Sequence, residues 1–275
     1  MLPIVLAVLA ILVSAASLAA AAVLWKKLSA AHWRIHRLER RELDAERQFA
    51  SLSRAASRAE AHARLPGTAA ICNAQHGEEF FIWEQLSFKP RGTFVEIGAY
   101  DGVSLSNSLF FEQLGWKGVL VEAHPELSER CRRARPEATV VHAALGPADG
   151  GLVSFSMVSG QSGLDTLSFV STTSQHRARI ASRCGAITQV EVPARTLRSV
   201  MDEVGLSEVD WISVDVEGFE LGVLQGADLG SCRPRVIMVE DNSAGADSRV
   251  ADYLSKFGYR VEQRLGCNDL YIRQT

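Results

Sequence analysis

From residue 93 onward, short β-rich apolar runs alternate with helical stretches, and this alternation constrains the fold more than any other feature of the chain. The runs lie at 93–98, 118–122, 139–144, 211–215 and 236–240, with helix-like stretches at 105–114, 125–134, 197–204 and 219–225. Strands that are apolar along nearly their whole length need cover on both faces, and helices of about a dozen residues supply it. The pattern predicts an α/β domain with a mostly parallel sheet. Two further runs, 259–264 and 270–273, flank Gly266 and predict an antiparallel hairpin on the sheet edge. Segment 146–192 fits the scheme least. It holds strand-like stretches at 152–157 and 188–192 around a polar region rich in Ser, Thr, Gln and Gly. Ligands of such sheets bind at the carboxyl ends of the strands, so this insertion reads as a lid or acceptor-binding loop, or as plain variable loop.

Two further parts precede the domain, as 275 residues allow. Residues 1–25 carry no charged side chain, and from Ile4 to Leu24 only Ser14 and Ser17 interrupt an apolar or small run. About 20 such residues match the hydrocarbon thickness of a bilayer, which predicts a transmembrane anchor over 1–25. A cleaved signal peptide competes through Ala19–Ala22, but nothing basic precedes the run. Lys26, Lys27, Arg34, Arg37, Arg40 and Arg41 all follow it, which places the rest of a single-pass chain in the cytoplasm. Residues 26–65 read as a helical stalk. A seven-residue repeat puts Leu28, Ile35, Glu42, Phe49, Ala56 and Ala63 at one seam position and Ala31, Leu38, Ala45, Leu52 and Ala59 at the other. Such a seam suits a coiled coil, which could pair two copies, or a helix lying on another surface. Pro66-Gly67 ends the helix and opens the domain at 66–275.

A net charge of -3 and a pI near 6.2 give no reason to expect nucleic acid as a partner. The five cysteines are widely spaced, odd in number and free of any C-x-x-C pair. They make a poor disulfide framework and a poor zinc site, and read as reduced, mostly buried thiols suited to the cytoplasm.

Four motifs carry the chemistry. Glu96–Gly102, E-I-G-A-Y-D-G, follows a strand and precedes a helix; Gly98 lets the backbone turn and a ligand come close. It is not the G-x-G-x-x-G dinucleotide fingerprint, because Tyr100 stands at the second glycine. Gly118–Glu122 is the next strand and ends in an acid about twenty residues on, where nucleoside-binding sheets receive ribose hydroxyls. His142–Gly146, H-A-A-L-G, closes the third strand with small residues that leave room for a flat ring, His142 being a packing residue. Asp210–Glu220 ends a strand in Asp215, with Glu217 and Gly218 beyond. Asp215 and Glu217 face the expected crevice, where they could act as general base, orient a ligand or bind a cation; Glu220 suits a helix N-terminus.

Together with V-E-A-H-P, D-V-E-G-F-E-L-G-V-L-Q-G and I-M-V-E-D, these motifs make the chain, over roughly 72–273, resemble the FkbM-type methyltransferases. A-Q-H-G-E-E at Ala74–Glu79 and S-N-S-L-F-F-E at Ser106–Glu112 resemble a branch with membrane-anchored members. The resemblance implies a Rossmann-like class I methyltransferase sheet with S-adenosylmethionine as cofactor. It implies Glu96, Gly98, Ala99, Tyr100 and Asp101 at the methionine end, Glu122 at the ribose, and Ala143 and Ala144 at the adenine. Tyr100 departs from the broad class I pattern, which has glycine there. The acceptor implied is a small molecule, a glycan or a lipid-linked sugar, methylated on oxygen. Asp215 or Glu217 acting alone as base is favoured over a divalent cation held by Asp215, Asp241 and Asn242. A catalytically silent scaffold of the same fold is the alternative, and a nicotinamide enzyme is disfavoured by the missing glycines.

Overall fold

The computed structural model describes residues 25, 27, 31–32, 34–35, 37–38, 40–41, 44–64, 70–159, 168–170, 186–243 and 245–274. They fall into two compact units, Met1–Gln48 and Phe49–Thr275. In the first unit the described residues, 25 to 48, are helical and exposed. No helix among the described residues is long and apolar enough to cross a membrane; the span expected over 1–25 lies outside them, Trp25 excepted.

The second unit is built on a seven-stranded sheet. Its strands are β1 (Thr93–Ile97), β2 (Lys117–Glu122), β3 (Thr139–His142), β7 (Trp211–Val214), β8 (Val236–Glu240), β9 (Tyr259–Leu265) and β10 (Asn268–Arg273). Their order is β3-β2-β1-β7-β8-β10-β9, with β1, β2, β3, β7 and β8 mutually parallel and β10 antiparallel to both its neighbours. This is the expected Rossmann-like sheet with its antiparallel edge hairpin. Alternate residues explain the continuous apolar runs. Val95, Ile97, Val119, Val121, Ile212, Val214, Ile237 and Val239 enter one core layer; Phe94, Leu120, Trp211, Val236 and Met238 enter the other. Both faces are buried, as parallel strands require.

Two expected elements differ. The run at 139–144 breaks at Ala143: β3 ends at His142, and β4 (Ala144–Leu145) pairs instead with β6 (Ala186–Arg195). With β5 (Leu152–Ser159), they form a second, three-stranded sheet, so the insertion begins and ends as an antiparallel arm. Residues 160–167 and 171–185 of that insertion lie outside the described residues. The helix expected from 105 starts only at Leu109 as α3 (Leu109–Gln113). Ser106 and Ser108 donate their hydroxyls to Glu96 at 2.9 and 2.6 Å, a local bonding pattern that competes with helix.

The stalk reading changes at its end. Residues 49–64 form α1 within the second unit, and the buried residues are Ala50, Ser53, Ser57 and Ala61, not the apolar seam. Leu52, a seam residue, is 64% exposed, so the heptad face is not what packs here. Small side chains let α1 lie close to the segment before α2 (Glu78–Gln85). Gly77, at φ 78, makes that approach possible, since a Cβ there would stand 2.5 Å from the Ser53 Cβ. Arg54 then donates to the carbonyls of Ala74 and Gln75 at 2.9 and 3.3 Å. Cys72, Cys131, Cys232 and Cys267 are free thiols, each pushed up by burial to about 11 or 12. Cys184 lies outside the described residues.

Candidate active site

A cavity of about 310 Å³ opens at the carboxyl ends of the parallel strands. Its lining runs across the sheet, from Ala143 and Ala144 past Glu122 on β2 and Gly98 after β1 to Asp215 after β7 and Glu240 on β8. β1 and β7 flank the point where strand order reverses, the usual ligand position in an open α/β sheet. The volume suits a ligand of cofactor size.

Gly98 makes the turn out of β1 at φ 84, and its N–H and that of Ala99 donate to the Val121 carbonyl at 2.9 and 3.2 Å. A Cβ at Gly98 would stand 1.7 Å from the Asp215 carbonyl oxygen. The glycine therefore serves the backbone contact between two strand ends, and not only the approach of a ligand. Tyr100 stands where glycine was expected and keeps a glycine-like backbone, φ 53. Such a conformation costs a bulky residue of order 1–3 kcal/mol and persists where the surroundings impose it. Here the Tyr100 N–H donates to Glu122 Oε2 at 2.8 Å, and the His124 N–H to Glu122 Oε1 at 2.7 Å. Burial pushes the Glu122 carboxyl up to about 7 despite those two donors.

Glu96 and Asp101 organise the loop. Glu96 accepts from the Ser106 and Ser108 hydroxyls and, at 2.7 Å, from the Asn107 N–H. Its carboxylate also borders the cavity. Asp101 accepts from the Val103 and Ser104 N–H groups at 2.9 and 2.7 Å and from the Ser104 hydroxyl at 2.8 Å. It does not line the cavity, so it shapes the turn instead of contacting a ligand there. Sequence reasoning missed Arg135, fully buried, which donates to the Gly102 carbonyl at 2.8 Å and pairs with Glu112 at 2.8 Å.

Asp215 and Glu217 both line the cavity, as expected. Glu217 sits in a left-handed conformation, φ 56, in the turn before α6 (Glu220–Gln225). Glu220 Oε1 accepts from the Gly218 N–H at 2.8 Å and ties down that turn, its expected place. Although the residue is open to solvent at the cavity mouth, desolvation, then the charges of Glu217 and Glu220, push the Asp215 carboxyl up to about 8. His142 Nε2 meets the Ala123 carbonyl at 3.0 Å, a packing role.

The cation arrangement is not present. Asp241 turns away and pairs with Arg264, which also holds Asp269 at 2.7 Å; Asp241 further accepts from the Ser243 and Gly245 N–H groups at 2.8 and 2.7 Å. Asp241 is absent from the cavity lining, while Asn242 borders it. No cluster of three His, Cys, Asp or Glu side chains among the described residues could hold a metal ion. Glu240 and Asn107, both on the lining, are the residues the sequence reading passed over. Both stand inside motifs it quoted, and Glu240 ends the strand beside that of Asp215.

Residues 96–261 match the methyltransferase FkbM domain, more than half of the chain. The chain belongs to the FkbM methyltransferase family. No curated protein matches it. Solved structures with a similar fold include the O-methyltransferase from Bacillus cereus in complex with SAH, 13% identical, covering 80% of this chain and 88% of that one at a TM-score of 0.39. Others are a TehB-like SAM-dependent methyltransferase from Corynebacterium glutamicum ATCC 13032 Kitasato (11% identity, 80% and 96% coverage, TM-score 0.37) and a putative O-methyltransferase from Klebsiella pneumoniae (12%, 84% and 100%, 0.38). As an FkbM methyltransferase, the protein is an S-adenosylmethionine-dependent enzyme, and S-adenosylmethionine is its methyl donor.

Proposed function

We propose that this FkbM methyltransferase methylates a hydroxyl oxygen of a sugar or natural-product-like acceptor, working at a membrane with its catalytic domain in the cytoplasm. The observation that carries the reaction is Asp215, a carboxyl at the end of β7 that borders the cavity and is pushed up to about 8. A base with that proton affinity is matched to taking a hydroxyl proton near neutral pH. Among the described residues the lining holds five carboxylates (Glu96, Glu122, Asp215, Glu217 and Glu240) and no Lys, Arg or His, which favours a neutral acceptor over an anionic one.

The residues present fit the cofactor. Glu122 would accept from the ribose hydroxyls, and Ala143 and Ala144 leave a shallow floor for adenine. Gly98, Ala99 and Tyr100 would border the methionine end, where the Asn107 Oδ1, buried without a hydrogen-bond partner, suits an ammonium group. The bound cofactor supplies an electrophilic methyl group on a positively charged sulfur. Asp215 accepts the proton leaving the acceptor hydroxyl, Glu217 adds negative potential beside it, and the cavity holds the two reactants in line.

Glu122→Ala is expected to weaken S-adenosylmethionine binding by at least about tenfold, since it removes charge-assisted bonds worth roughly 1.5–3 kcal/mol each. The pH dependence has a definite sign. The free carboxyl is raised to about 7 and the ribose hydroxyls bond best to its ionised form, so affinity falls as pH drops below about 7. Calorimetric titration across that range checks both; wild-type affinity in the folded variant would place the ribose elsewhere.

The membrane location is supported by the charge-free run over 1–25 and the basic residues that follow it. Comparing membrane extracts of wild-type and deletion cells by mass spectrometry tests the function. The deletion should accumulate a membrane-fraction species lighter by one CH₂ unit, and the protein itself should be cut by protease in sealed inside-out vesicles but not in intact spheroplasts. No lighter species would sink the acceptor reading; the reverse protease pattern would invert the topology.

A further inference from the structure

β7 and β8 run parallel with Val214 opposite Val239, so the next residues, Asp215 and Glu240, are neighbours at the strand ends. Both border the same cavity, with Asn242 on the same lining, and the charge of Asp215 raises the proton affinity of Glu240. An ionised carboxylate only accepts hydrogen bonds, so the two can bond each other only with a proton on one of them.

We propose that Asp215 and Glu240 hold one proton between them, and that Glu240 is the positioning residue which orients Asp215 and leaves it the single charged base toward the acceptor. The role in catalysis rests on the hydroxyl-acceptor reading given above; the shared proton does not. The surroundings favour it. Glu96 from β1, Glu217 from the turn and Glu220 from α6 all add negative charge around the pair, and Arg249 of α8 (Arg249–Ser255) faces Glu220. Cys267, from the β9–β10 turn, lies beside both carboxyls with its own thiol pushed up. Two neighbouring carboxylates repel when both are ionised, and desolvation, then the charge of Asp215, pushes Glu240 up to about 10. The two protons therefore leave in separate steps that belong to the pair. In the transfer, the acceptor O–H proton passes to Asp215 while the acceptor oxygen bonds the methyl carbon. The electrons of the broken C–S bond stay on sulfur, and the doubly protonated pair then returns one proton to water.

The test is isotope-edited infrared spectroscopy of the full chain without ligand, with carbon-13 in its Asp and Glu carboxyls. It is run at about pH 8.5, above the range in which Glu79 and Glu122, raised to about 7, stay protonated. Wild type should show a protonated-carboxyl band there. Glu240→Gln and Asp215→Asn should each lose it, because the new amide donates to the remaining carboxylate and lowers its proton affinity. In Glu240→Gln the Asp215 titration should also move down by about one pH unit or more. A cooperative thermal unfolding transition shows that the variants are folded, and either variant suffices if the other fails to fold. A wild-type spectrum without the band, or a band surviving unchanged in a folded variant, overturns the proposal. Methyl transfer is not read in this experiment, so failure of the acceptor reading leaves its outcome intact.

Discussion

Gly98→Val is expected to destroy the fold and not merely the binding of the cofactor. The added Cβ would stand 1.7 Å from the Asp215 carbonyl oxygen, a backbone atom fixed by the β1–β7 pairing and by the Asp215 N–H bond to Ile97 at 3.0 Å. A β-branched residue is also strained at φ 84. Neither partner can swing aside as a flexible side chain would. The cost should exceed about 4 kcal/mol, a large part of the roughly 5–15 kcal/mol that holds a domain together. Thermal denaturation should show a loss of at least about 8 °C, at 2–4 °C per kcal/mol, or no cooperative transition. Gly151 is the control: its φ is 60 but nothing lies within 4 Å of its Cβ position, so Gly151→Ala carries only the backbone strain, about 1 kcal/mol. A Gly98→Val protein that melts like wild type and loses only cofactor affinity would show that the strand ends separate more easily than they pack here.

Asp215→Asn should lower methyl transfer by about 10²–10⁴-fold, the usual contribution of a positioned general base. S-adenosylhomocysteine should still bind within a few-fold, because the amide keeps the shape of the carboxyl and the ribose side of the cavity is untouched. Glu217→Ala should reduce turnover less, since Glu217 acts through charge beside Asp215 and not by holding the proton. Single-turnover rates set against calorimetric affinities separate the two effects. Unchanged turnover in both variants would leave alignment of donor and acceptor as the source of rate.

The parallel core was legible because its physics is local. Val95 and Ile97 on one face of β1 with Phe94 on the other, and Ile212 and Val214 on one face of β7 with Trp211 on the other, are apolar, and no partner need be known to see that both faces are covered. The departures came from partners far along the chain. Ala143 breaks a strand because Ala144 and Leu145 pair with Ala194 and Arg195. The helix near 105 is delayed because Glu96 claims two serines beyond it. Asp241 and Asn242 look equivalent in sequence, yet Arg264, 23 residues on, draws one away while the other borders the cavity. On α1 the apolar seam outweighed the small residues in the periodicity, although Ala50, Ser53, Ser57 and Ala61 repeat at three- and four-residue steps. Glu122 and Asp215 were found because each ends a strand that was itself legible. Glu240 was passed over because its meaning depends on the register of β8 against β7.

The close packing of α1 bears on where this protein can be cut. Pro66 looks like the natural start of a soluble enzyme, but a fragment begun there loses the helix that covers Gly77 and binds the Ala74 and Gln75 carbonyls. Gln75 borders the cavity, and Ala74 bridges to Leu105, which borders it too. The compact unit that holds the cavity begins at Phe49, so a fragment that keeps α1 carries with it part of what looks, in sequence, like its tether.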